Sequence, residues 1–148
     1  MIRRVTAFAA GVLATYTLAA IASTQMILGE VAALGLPVSF GNRTAATLHD
    51  LAGMAMSYLP LIGASLLIAF PLTALILRYV GLPRTLGYAL AGGAALWALH
   101  LIMIAAFGLH PVPATRTALG LALQAAAGLV GGYVFARIAS GASRKTAQ

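Results

Sequence analysis

The chain has 148 residues, of which 61% are hydrophobic and 7% charged, too few charges to cover the surface of a soluble domain of that size. Its formal net charge of +7 comes from basic residues scattered singly and in pairs rather than gathered on one aromatic-studded face, so nucleic acid is not an expected partner. No cysteine is present, which removes disulfides, thiolate metal sites and cysteine nucleophiles.

Four apolar stretches, residues 5–28, 47–77, 86–107 and 117–136, each reach the roughly 20 residues that cross about 30 Å of hydrocarbon. They predict an all-α membrane protein, a four-transmembrane-helix bundle whose first partner is the lipid bilayer. One domain over residues 1–140 and a short flexible tail over 141–148 leave no room for a separate soluble unit.

The first stretch follows Arg3 and Arg4 and ends near Ala20-Ile21-Ala22, which imitates a secretory signal with its small-residue cleavage site. The apolar run is long for a signal, so a retained first helix is expected, with Gln25 near its far end. A turn-rich loop, residues 35–43, follows. Thr47 and Asp50 then read as a capping box that opens the second helix. That helix would continue to about Arg78, roughly 30 residues or about 45 Å. It is therefore predicted to be the longest and most distorted, bending near Pro60 or Pro71.

The third helix carries Gly92, Gly93, Trp97 and His100, and Pro111 and Pro113 interrupt the chain after it. The fourth begins near Thr115 or Thr117. On it Arg116, Gly120, Gln124, Gly128 and Gly132 recur every four residues and share one slowly drifting face. Gly128 and Gly132 form a small-xxx-small pair that lets another helix approach closely, inside this bundle or, alternatively, in a homo-oligomer.

With the N-terminus in the cytoplasm, Arg3, Arg4, Arg78, Arg84, Arg137, Arg144 and Lys145 lie inside, and only Arg43 and Arg116 outside. The positive-inside rule then predicts an N-in, C-in arrangement. Both acids, Glu30 and Asp50, fall on the outer side with His49 and His110. Arg116 would stand at the positive end of a helix dipole, where a cation needs an anion nearby. Asp50 is its expected partner, Arg43 with Glu30 the second pair, and His49 lies beside Asp50.

His100 and Gln124 fall at similar depth on different helices, where polar groups should face the bundle interior. Gln25, His49, Asp50, His100, Arg116 and Gln124 are therefore the candidate ligand-binding residues, a charged rim over a crevice. The same residues also suit a purely structural polar knot. Neither a catalytic set nor a metal-ligand set stands out, and no cofactor is predicted. A bis-histidine haem would need two facing histidines at one depth, which leaves haem and quinone as minor alternatives at His100.

Three stretches, TAATLHDLAG at 44–53, ATRT at 114–117 and AGLVGGYVFAR at 127–137, resemble a group of short alanine-rich bacterial inner-membrane proteins. The resemblance implies a four-helix fold and a bacterial cytoplasmic-membrane setting, and no activity. The expected function is an outward-facing polar pocket for a small amphiphile or lipid on a non-enzymatic protein. The alternatives are an accessory subunit of a larger membrane complex and a small transporter or lipid-modifying enzyme.

Overall fold

A computed structural model describes residues 2–141, and within them all regular structure is helical. Helix α1 runs Ile2–Ala33, α2 Phe40–Gly53, α3 Tyr58–Ile76, α4 Arg84–Phe107 and α5 Ala118–Ser140; a 3-10 turn, Pro113–Arg116, leads into α5. α1, α3, α4 and α5 are each long and apolar enough to cross a membrane. The expected tail falls, beyond Gly141, outside the described residues.

The second span departs from its expected form. It is two helices, α2 and α3, separated at residues 54–57. The cause lies in Pro60. A helix running through it would lose a backbone donor and force the proline ring against the carbonyl of Met56. In the first turn of a new helix the missing N–H costs nothing, and Pro60 is the third residue of α3. Pro71, by contrast, stays inside the unbroken α3. The expected capping box is also wrong. Ser39 is the N-cap of α2 and accepts a hydrogen bond from the Asn42 amide, so α2 starts seven residues before Thr47. Thr47 lies inside α2, where its hydroxyl donates to the Arg43 carbonyl at 2.7 Å. The longest helix is α1, with 32 residues.

Bundle order follows from the glycines. α5 is the central helix, and α4 and α1 pack on its two sides. On the α4 side a Cβ at Gly128 would strike the Gly92 carbonyl, and one at Gly132 the Tyr88 carbonyl. On the α1 side a Cβ at Gly131 would strike the Thr15 hydroxyl, and one at Gly11 would lie 2.9 Å from the Gly131 carbonyl. Both crossings therefore bring backbone against backbone. In lipid, where apolar burial no longer drives helices together, such close van der Waals contact is a main source of association. Gly120 has a different neighbour, the Ala114 carbonyl, and lets the 3-10 turn fold onto the start of α5.

α3 is attached otherwise. Its buried stripe is Tyr58, Ile62, Leu66, Phe70 and Thr73, one residue per turn. At one end Phe70 stacks on Phe135 of α5 at 4.3 Å and meets Phe8 of α1 and Tyr88 of α4 edge-on. At the other end Tyr58 enters the polar cluster described below. Between them the Ser65 hydroxyl donates to the Ala95 carbonyl at 3.0 Å. The outward faces stay apolar: Ile68 is 72% exposed and Ile102 64%. Repeated on α1 and α5, that pattern needs hydrocarbon rather than water around it.

Candidate functional site: a buried polar cluster

Four helices each send polar groups to one level of the bundle. Tyr58 stands at the start of α3, His100 two turns before the end of α4, Gln124 two turns into α5, and Ser23 on α1. His100 and Gln124 are each 1% exposed. The Gln124 amide nitrogen donates to the Ala19 carbonyl at 3.1 Å and to the Ser23 hydroxyl at 2.8 Å. A carbonyl only accepts, so this contact fixes which end of the amide is nitrogen. The Gln124 Oε1 must then accept, and the Tyr58 hydroxyl donates to it at 2.8 Å. That uses the one phenolic hydrogen. His100 Nε2, 2.9 Å from the same hydroxyl, is therefore the donor. Nδ1 carries the lone pair, and it is buried with no hydrogen-bond partner among the described residues. Every other side-chain polar atom that links the cluster has a partner within it, and Nδ1 is the exception.

A second polar group joins α2 to α1. The chain direction is antiparallel: Arg43 and Thr47 meet Gln25, Asp50 meets Thr24, and Leu51 meets Tyr16. Arg43 donates to the Gln25 Oε1 at 2.8 Å, and the Gln25 amide nitrogen donates to Thr47 at 3.1 Å. The Thr24 hydroxyl lies 2.7 Å from a carboxylate oxygen of Asp50 and 3.0 Å from the Ala20 carbonyl. Its single hydrogen serves one of these acceptors at a time. The Tyr16 hydroxyl donates to the Leu51 carbonyl. α2 thus turns its polar stripe toward α1 while Leu48 stays 68% exposed.

The structure brings His100 and Gln124 together through Tyr58, and places Gln25 and Asp50 in the neighbouring α1–α2 group. His49 is exposed on α2 and Arg116 is exposed in the 3-10 turn. The expected Asp50–Arg116 ion pair is not formed: no basic group comes within 4.0 Å of a carboxylate among the described residues. Nor is the Arg43–Glu30 pair, since Arg43 is engaged by Gln25 and Glu30 is exposed. Expecting Arg116 at a long helix's start was the error. Thr117 is the N-cap of α5, its hydroxyl accepting from the Gly120 amide, so Arg116 precedes the helix and feels its dipole less. His110 approaches Thr115 at 3.3 Å within its own loop.

Sequence reasoning missed Tyr58, Tyr16, Ser23 and Thr24. A usable signal existed for the tyrosines: a phenol in an apolar span needs a partner for its hydroxyl. Two apolar grooves flank α3. One, about 400 Å³, lies against α1 between Phe8, Val12, Pro60 and Gly63. The other, about 390 Å³, lies against α4 between Ser65, Ile68, Ala95 and Ala98. Neither is lined by any of the six polar residues expected to form a pocket. Among the described residues no group of three or more histidine, aspartate or glutamate side chains is placed to hold a metal ion. Comparison with protein-family models, with curated proteins and with solved structures finds no match for the chain.

Proposed function

We propose that the chain is a non-enzymatic integral protein of the bacterial cytoplasmic membrane that holds a small amphiphile along α3. Its orientation is N-in, C-in, with the α2 end of the bundle outward. Supporting the orientation, Arg3, Arg4, Arg78, Arg84 and Arg137 sit at one end and Arg43 and Arg116 at the other. The observation that carries the binding reading is the pair of apolar grooves beside α3, about 400 and 390 Å³, within the roughly 300–1,000 Å³ of small-ligand sites. The Tyr58–His100–Gln124 cluster takes the role of a clasp. It holds one end of α3 at a fixed distance from α5, so that the grooves keep their width, while its own polar groups other than His100 Nδ1 are consumed internally.

Native mass spectrometry of protein extracted in mild detergent tests this reading. A retained amphiphile is expected, and its occupancy should fall when Gly63→Leu fills the first groove or Ala98→Leu the second. Retained mass indifferent to both substitutions, or none, would overturn it. Cysteines placed at Ser39, Pro83 and Ala114 test the orientation; labelling of the Pro83 position from outside would reverse it.

A further inference from the structure

We propose that the groove between α1 and α3 binds one acyl chain of an anionic phospholipid, with the lipid phosphate held by Arg4 and Arg78. This rests on the reading that the α3 grooves hold an amphiphile, and it adds which groove and which headgroup.

The argument begins with register. α1 and α3 run in opposite directions, with Tyr16 against Tyr58 at 6.4 Å and Phe8 against Phe70 at 6.2 Å. Moving down α1 from Phe8 toward its N-terminus is therefore moving down α3 from Leu67 toward its C-terminus. Arg4 lies one turn before Phe8, on the same face of α1. Helical side chains lean toward the N-terminus, so the Arg4 guanidinium projects past the foot of the groove. On the other wall Arg78 lies two residues beyond the end of α3, at the same end of the bundle as Arg4. Both arginines are exposed, whereas Arg3 is drawn across to the Ala139 carbonyl at 2.6 Å. Tyr79, 84% exposed, stands next to Arg78 as an amphipathic ring at the level where membrane proteins place such residues. Two cations thus stand at headgroup level beyond the lower end of an apolar channel, which is the charge pattern of a site for a phospholipid with net negative charge.

The groove is also open where a chain would lie. A Cβ built at Gly63 meets no atom within 4 Å, so the wall of α3 is set back at that point. The same openness makes Gly63→Leu a substitution that fills the channel without striking the bundle.

Full-length protein in mild detergent is titrated with phosphatidylglycerol or phosphatidylcholine, and bound lipid is counted by native mass spectrometry alongside thermal unfolding. Phosphatidylglycerol should bind more tightly and raise the melting temperature further. Gly63→Leu should abolish saturable binding of both lipids. Arg4→Gln/Arg78→Gln should keep binding but lose the headgroup preference by roughly thirtyfold, the order of two arginines near a surface. Arg116→Gln, at the opposite end, should keep it. Equal binding of the two lipids to the unaltered chain, or equal loss from Arg116→Gln, overturns the proposal; if Gly63→Leu still abolishes binding in that case, the amphiphile reading stands. Binding indifferent to Gly63→Leu overturns the proposal, and overturns the amphiphile reading as well if Ala98→Leu is equally without effect.

Discussion

The α1–α5–α4 trio and α3 belong to one bundle but are built on different terms. In the trio, glycines at Gly11, Gly92, Gly128, Gly131 and Gly132 remove side chains from the crossings, and the backbones themselves make the contact. α3 keeps its side chains and is fastened at two points, a phenol at one end and a phenylalanine at the other. At the trio's glycines the crossings bring backbone into contact. α3 leaves a groove on each flank. Rigidity and binding space are thus separated along the same bundle, the first where backbones touch and the second where only selected side chains do.

The sharpest way to break this contrast is to exchange the two kinds of glycine. Gly128→Leu should be the most damaging single change, costing at least about 3 kcal/mol and in practice preventing a stable fold, because the obstructing atom is a backbone carbonyl that cannot turn aside. Gly63→Leu should leave the melting temperature in detergent nearly unchanged. If Gly128→Leu folds normally, the crossing is not where the bundle's strength lies.

Next in size is Tyr58→Phe. It keeps the ring and its packing but leaves His100 Nε2 and Gln124 Oε1 without partners, and each unsatisfied buried group costs about 1–3 kcal/mol. Chemical or thermal unfolding should show the loss. Phe70→Leu, at the other fastening, should show less, since its contacts are apolar and a leucine retains many of them. Similar losses from the two would mean that the polar fastening has no special weight.

The smallest effects concern the α2 rim. Asp50→Ala and Arg116→Ala should add within about 0.5 kcal/mol, because the two make no contact, whereas Asp50→Ala and Thr24→Val should couple beyond that margin. A double-mutant cycle reads both. Coupling between Asp50 and Arg116 would restore the ion pair that the structure does not form.

Which features were legible in the sequence follows from their physical range. The four spans and the all-helical class come from long apolar runs, a signal that depends on composition over 20 residues and tolerates local error. His100 and Gln124 at one depth came from counting residues from helix ends, which also works. The start of α2 at Ser39 and the break before Tyr58 did not, because each depends on a single residue competing with its neighbours. Ser39 outcompeted Thr47 as a cap, and Pro60 decided the break through a clash with one carbonyl. Tyr58 itself was hidden for a simpler reason: an aromatic residue in an apolar stretch reads as packing until its hydroxyl is placed. The ion pair at Arg116 failed because charge complementarity in sequence says nothing of reach. Asp50 found a nearer donor in Thr24.

The buried cluster has a direction as well as a geometry. Two acceptors on α1 hold the Gln124 amide, the amide oxygen orients the Tyr58 hydroxyl, and the hydroxyl orients His100. Every hydrogen along this line points from α4 through α3 and α5 toward α1. One bond cannot be reversed alone: turning the phenol leaves the amide oxygen bare, and turning the amide sets its one oxygen against the Ala19 carbonyl. The line therefore behaves as a single polarised unit. It cannot hand a proton from one member to the next without resetting all of them, and its lone free end is the nitrogen of His100 that faces away from it.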